Sequence, residues 1–361
     1  MKYLTFFKSI FIFYYFISYN CINANSNIKV KSNFRGLQYL NVTSSINRNL
    51  KVINSNLCLY NANTKYNNLK SQYPEFNKEF SILSKVPLPI WYTDRDPNAL
   101  NNVIDNINNC NDLLNIFIIY GLPNKDCEAQ FSSSGSNKNE NDYFNFINNL
   151  NSAVNNKEVV YILEPDAINF IMPNKCGNQY NYKNNLKMAI DVLSKNNNAK
   201  IYIDIGYWNL IYSDEQIYNI INILNEINTN NRLNGISLNL SNYRSSKEMI
   251  DACNRIRSLS NKNFHCIIDT SRNNNGPSND NQWCNMINAG IGELPTTNTN
   301  IDYIDAYLWL KPAGELDGTC IGFSNSYVSN KNAGDFDIDY FKILWNNGVF
   351  NNQYLSCSAL N

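Results

Sequence analysis

Two carboxylates hinged about a proline, Glu164 and Asp166, end the stretch VVYILEPD at residues 159–166. The apolar residues ahead of them are β-branched and aromatic, the composition of a strand covered on both faces. Pro165 ends the ladder because it has no N–H to donate and restricts the residue before it. The acids therefore sit at the carboxyl end of a buried strand, where α/β folds keep their chemistry. Positioned proton transfer is what such a pair can do; the plainer reading is a strand-to-loop turn with solvated acids. The chain has one histidine, His265, inside the strand pattern NFHCIID, where a packed core imidazole is the ordinary reading. A His-rich zinc site is excluded, and His265 is the only imidazole that a serine or cysteine nucleophile could use. Acid–base work falls to carboxylates, and neither a metal nor a cofactor is expected.

The elements that must position these acids follow from periodicity. Short apolar strand patterns recur at 86–92, 115–120, 158–164, 199–204, 234–240, 263–269 and 304–310. Between them lie helical periods at 100–107, 143–154, 186–193, 214–227 and 246–259, the fourth headed by a capping box of Ser213 and Gln216. Strands alternating with helices imply parallel pairing and right-handed crossovers. The fold class is α/β: an irregular parallel β/α barrel of about seven strands, TIM-like, forming a single catalytic domain. Ahead of it, the chain to Ser84 reads as a loop-rich wrapping segment with one helix at 75–83. Asparagine makes up about a fifth of the residues, and tracts such as NKNEND and SRNNNG read as loops.

In a parallel barrel the strand ends converge on one face. That face would gather Asp126, Asp166, Asp204, Asn239, Asn242, Asp269, Arg272, Lys311, Glu315 and Asp317, with Trp91, Tyr120, Trp283 and Trp309 nearby. Apolar sugar faces stack on aromatic rings while acids handle the glycosidic oxygen, so this ring suits a sugar-polymer cleft. Trp91 and Trp309 lie within strand patterns, and both also read as core. Thirty basic and thirty acidic residues cancel, against the basic stripe that a nucleic-acid partner wants. The amino terminus reads as a secretory leader over residues 1–24, with Lys2 and Lys8 ahead of a short apolar run. No membrane association is expected once it is cleaved. Secretion permits disulfides; with Cys21 lost, nine cysteines remain, so one thiol is free or paired to another chain. Asn41-Val42-Thr43 is a glycosylation acceptor that fits the same route.

Nine motifs in order carry a resemblance: SNFRGLQYLN, KVPLPIWYTD, YGLPNKDCEAQFS, YILEPDAINFI, YIDIGYW, GISLNLSNY, IIDTSRN, QWCNMINAGIGELPTTNTN and DAYLWLKPAGELDGT. Together they resemble glycoside hydrolase family 6, the cellobiohydrolase II type of cellulase, over nearly the whole mature chain. The resemblance implies a secreted, inverting hydrolase of β-1,4-glucan, with residues 30–361 as the catalytic domain; with no Pro/Ser/Thr-rich linker or second small Cys-rich module in the sequence, no separate carbohydrate-binding module is expected. It implies cellulose or cello-oligosaccharides as partner and a monomer as the working unit. Asp166 matches the family's general acid, Asp126 the aspartate that raises the acid's pKa and is linked to base function through water, and Asp317 the carboxylate proposed as direct base. Ser132 matches the serine that positions water, and Tyr120 the ring under the distorted sugar. Trp91, Trp283, Lys311 and Glu315 match sugar-binding positions and Arg272 the arginine that pairs with the carboxylates. Asn239 and Asn242 are expected to bind substrate and Asp204 to support the site. Family disulfides map to Cys127 with Cys176 and Cys284 with Cys320; Cys58, Cys110, Cys253, Cys266 and Cys357 stay unassigned.

Two facing acids, Asp126 and Asp166, cannot both ionise cheaply, so one proton stays on at mildly acidic pH. Inversion needs room for a water, hence carboxyl groups about 6.5–9.5 Å apart. The chain departs from the family at Gly121 and Lys125, where Asp and Arg are usual, at Tyr207, where a His is usual with a Trp beyond it, and at Ser246, where a Trp is common. These lie toward the leaving-group side or behind it. A carboxyl-side loop about ten residues shorter than in tunnel-forming relatives implies an open, partly endo-acting cleft. The rival from another class is a non-hydrolytic glucan-binding protein on the same barrel, against which the intact Asp126, Asp166 and Asp317 argue.

Overall fold

Seven strands pair in parallel in their sequence order, β1 to β7, to form one curled sheet. The computed structural model describes residues 56–110 and 113–350. The expected leader, the motif SNFRGLQYLN, the acceptor at Asn41, and Cys21 and Cys357 lie outside them. The order is α1 (Tyr60–Gln72), α2 (Asn77–Leu83), β1 (Ile90–Thr93), α3 (Ala99–Cys110), β2 (Asn115–Tyr120), α4 (Glu140–Val154), β3 (Val159–Leu163), α5 (Ala167–Ile171), α6 (Tyr182–Leu193), β4 (Ala199–Asp204), α7 (Trp208–Ile211), α8 (Asp214–Ile227), β5 (Leu233–Leu238), α9 (Ser246–Ser260), β6 (His265–Asp269), β7 (Ile304–Leu308) and α10 (Ile338–Asn346). All seven expected strands are present, and the irregular barrel is the observed architecture.

Strands β2, β3 and β6 are buried at every position, because helices cover one face and the barrel interior the other. Val159, Tyr161 and Leu163 pack with helix residues such as Tyr143 and Ile190. Val160 and Ile162 point the other way, among Ile116, Ile118, Ile267 and Leu308. Register holds the strand ends level: Thr93 pairs with Tyr120, Leu163 with Ile203, and Asp269 with Leu308. Every chemistry-bearing residue just after a strand is thus carried to one rim. Strands β1 and β7 share no ladder; the Trp91 indole N–H donates to the Leu310 carbonyl across that seam at 2.9 Å. His265 is a core imidazole, its Nδ1 2.9 Å from Asp305 Oδ1.

Two local expectations are corrected. The segment before Ser84 carries a second helix, α1. Its sequence YNANTKYNNLKSQ is rich in poor helix formers and buries only Ala62, Tyr66 and Leu69, so its stability comes from packing rather than propensity. The tract NKNEND is not all loop: Asn139 Oδ1 accepts the N–H groups of Asn141 and Asp142 and starts α4. Only half of the box at Ser213 forms: the Gln216 N–H donates to its Oγ, but the Gln216 Oε1 takes no bond in return.

Four disulfides join the described residues: Cys58–Cys110, Cys127–Cys176, Cys253–Cys266 and Cys284–Cys320. Among the described residues no cysteine is free. The Cys127–Cys176 bond closes 49 residues and ties the Asp126 loop to the chain after α5. In the chain-entropy account such a loop contributes about 4 kcal/mol. Peptide mapping without reduction should recover the two cysteines linked; alkylation of either one under those conditions would refute the bond.

Candidate active site

A cavity of about 1270 Å³ occupies the carboxyl rim of the sheet. Asp126, Ser132, Asp166, Asn242, Lys311, Glu315 and Asp317 line it, with Trp91, Tyr120 and Trp283. Four expected residues stand behind this wall, among them Asp269, whose carboxylate accepts the N–H groups of Ser241, Ser271 and Leu310. Asp204 Oδ2 accepts the backbone N–H groups of Asp166 at 3.0 Å and Gly206 at 3.2 Å. Arg272 is buried beneath Asp317. Asn239 corrects an expectation: it is fully buried, and its amide donates to the carbonyls of Arg244 and Asp269. Those bonds commit it to joining the ends of β5 and β6, which leaves nothing for a substrate.

Asp166 follows Pro165 with φ 68° and begins α5. That left-handed backbone costs a side chain energy, and the Asp204 bond to its N–H helps hold it. Burial, with the charges of Asp126 and Asp317, pushes its carboxyl up to about 7, while Lys311 opposes the shift. Asp204 is raised as well, first by burial and then by Asp166. Asp126 also has a left-handed backbone, φ 53°, and its Oδ2 accepts the Ser132 N–H at 2.7 Å. Burial raises its pKa despite that bond and others from residues 129–131.

Asp317 is treated oppositely. Burial alone would raise it, but Arg272 and Lys311 outweigh burial and hold it below the usual carboxylate range. Arg272 grips it with Nη1 at 2.9 Å and Nη2 at 3.0 Å. The Tyr243 hydroxyl donates at 2.8 Å and the Asn285 N–H at 3.0 Å, and Lys311 Nζ lies 3.5 Å away. One cavity therefore holds a carboxyl that keeps its proton to higher pH than usual and a carboxylate that stays ionised to lower pH, the arrangement acid–base catalysis needs. Glu164, the other half of the hinged pair, faces elsewhere. Its φ of 44° breaks the strand alternation, and its carboxylate accepts N–H bonds from Gly121 and Leu122 and the Tyr143 hydroxyl. It clamps the turn after β2, which carries Tyr120.

Trp91 meets Tyr120 edge-on, ring centres 5.9 Å apart. Trp283 is 36% exposed and lines the cavity. Trp309 is fully buried, its indole N–H on the Glu293 carbonyl, and belongs to the core. Phe131 and Trp208 also line the cavity and went unread in the sequence. Trp208 directly follows Tyr207, so an aromatic does stand on this wall, one step from the strand end rather than at the family's spacing. Phe131 approaches Trp283 at 6.0 Å and Phe323 at 6.5 Å. The loops after Asp126 and Asp317 thus approach each other at Phe131 and Phe323. The other departures lie behind the cavity wall. Lys125 pairs with Asp94 in the interior, a Cβ on Gly121 would stand 2.4 Å from the Phe146 ring, and Ser246 Oγ accepts from Asn273.

A parallel barrel whose rim sets opposed acids between aromatic platforms is a carbohydrate-processing architecture. The sequence pattern of Glycosyl hydrolases family 6 matches residues 54–348, and the chain belongs to that family. It is 30% identical to Endoglucanase A of Thermobispora bispora over 69% of this chain and 54% of the relative. It is 29% identical to Exoglucanase 3 of Agaricus bisporus over 73% of this chain and 67% of the relative. The chain thus spans about half to two thirds of these curated relatives. Among solved structures, the endoglucanase Cel6 from Mycobacterium tuberculosis superposes with a TM-score of 0.70 at 28% identity, covering 82% of this chain and 98% of that one.

Proposed function

We propose that the protein is a secreted, inverting hydrolase of β-1,4-glucosidic bonds in cellulose chains or cello-oligosaccharides, with Asp166 as general acid. The observation that carries this is the placement of two acids in one cavity with opposite surroundings, Asp166 buried near other carboxylates and Asp317 gripped by Arg272 with Lys311 beside it. Asp166 gives its proton to the departing glycosidic oxygen as that bond breaks. Water attacks the anomeric carbon from the other face, and its proton passes to Asp317 or, through a second water, to Asp126. Ser132 positions the attacking water, and Tyr120 lies under the distorted sugar. Trp91, Trp283, Lys311, Glu315 and Asn242 hold the chain on either side. Family membership supports the substrate class, as do the names of the relatives and the M. tuberculosis structure, which holds methyl-cellobiosyl-4-deoxy-4-thio-β-D-cellobioside.

Four disulfides and the leader-like residues 1–24 support export. Among the described residues no helix is long and apolar enough to cross a membrane. The family pattern over residues 54–348 supports reading residues 30–361 as the catalytic domain, and the working unit is taken as a monomer.

Reducing-end release from carboxymethylcellulose, followed with viscosity and with cellobiose release from amorphous cellulose, tests the reading and separates endo from exo action. Tight binding with no new reducing ends at any pH would leave the non-hydrolytic alternative. The pH profile is a sharper signature. Asp166 must carry its proton, so kcat/KM should fall as pH rises through about 7. Asp317 must be ionised, so the acid limb should lie below its ordinary carboxylate value. Asp126→Asn removes a charge that raises Asp166, and should move the alkaline limb to lower pH.

A further inference from the structure

We infer that the glucan site extends beyond Trp91 and Glu315 onto helices α1 and α3, which build one more sugar-binding position on the side away from the leaving group. The inference rests on the proposed glucan substrate and adds a position to that cleft. On α1, residues 60, 61, 64 and 65 form one stripe and line the cavity, whereas Ala62, Tyr66 and Leu69 form another and are buried. On α3, Asn102 and Asp105, three apart and exposed, line the same cavity. A helix that merely covered the seam between β1 and β7 would have one packed face and otherwise face solvent. This one turns a second, polar face into the cleft.

The chemistry of that face suits a hexose. Tyr60 supplies a half-buried ring for the apolar sugar face. Asn61, Thr64, Asn102 and Asp105 supply amide, hydroxyl and carboxylate groups for its hydroxyls. The extension is mechanically tied to the neighbouring position, since Lys65 of α1 pairs with Glu315 and Asn61 donates to the Pro89 carbonyl at 2.6 Å, just before β1. A chain bound here would place one more sugar ahead of the cleaved bond, so cleavage of a short oligomer would shift one unit toward its reducing end.

The test has two arms. In the first, cellopentaose labelled at its reducing end is hydrolysed by wild type, Tyr60→Ala and Thr64→Trp, the last filling the position from an exposed site and so insensitive to any packing role of Tyr60. Labelled disaccharide, the counterpart of trisaccharide freed from the non-reducing end, should fall about three- to tenfold relative to labelled trisaccharide in both variants. In the second arm, cellohexaose affinity is measured by calorimetry for the full chain carrying Asp166→Asn, with and without each substitution, and should weaken by a similar factor. Unchanged product ratios and unchanged affinity would overturn the inference. If wild type cleaves no glucan the catalytic reading fails, yet the calorimetric arm still decides whether sugars bind over α1.

Discussion

Asp166→Asn is expected to lower turnover of unactivated β-1,4-glucan by about 10²–10⁴-fold, the usual worth of a positioned general acid, while oligosaccharide binding survives. The change removes the proton and keeps the shape. It also keeps the backbone, because asparagine tolerates the left-handed φ of 68° at this position better than alanine would. A glycosyl fluoride needs little protonation to depart, so its hydrolysis should suffer far less than that of cellotetraose. Measuring both substrates separates loss of the acid from loss of the fold. A variant that kept most of its turnover on cellotetraose would remove Asp166 from the acid role and move attention to Asp126.

Arg272→Met should destabilise the protein by about 3–5 kcal/mol, because it leaves the Asp317 carboxylate buried without its bidentate partner. The pH dependence follows from the sign of the shift. In the wild type Asp317 is held low, so it contributes stability at pH above its unfolded value and loses it as pH falls through its folded one. Without Arg272, burial dominates and raises that pKa, so the penalty of the variant should be largest near neutrality and shrink in acid. Urea denaturation at several pH values reads this directly. Arg272→Lys keeps charge but not the planar fork, and should fall between the two. A cost below about 1 kcal/mol for Arg272→Met would mean that Asp317 is not a buried charge, and would remove the basis for its role as base.

How much of this was legible in advance depended on how local each signal was. Strand periodicity and the acids following each strand were readable, because a parallel sheet with level register carries whatever follows its strands to one rim. Cys127 with Cys176 and Cys284 with Cys320 were readable only through resemblance, and the structure joins both pairs. Helix α1 was not readable, since its asparagine-rich sequence lacks propensity and its apolar stripe is narrow. Trp208 and Phe131 left a faint signal, an aromatic beside a strand end and another in a polar loop, but nothing local says which way either ring turns.

By itself, the sequence determined the class of fold and the near absence of imidazole chemistry, because composition and the alternation of apolar strands with helical periods are properties of the chain alone, whereas the candidate acids were singled out through the family resemblance. Tertiary structure decided what surrounds each acid. Glu164 and Asp166 stand two residues apart, yet one clamps the turn after β2 and the other faces the cavity. Asp166 and Asp317 are the same residue type, yet burial and like charges raise one while Arg272 lowers the other. Asn239 and Asn242 share a strand end, yet the first is consumed by two backbone carbonyls and the second lines the cavity. Each distinction is set by what the rest of the fold places within a few ångströms, and the range of electrostatic and hydrogen-bonding forces makes those neighbours decisive.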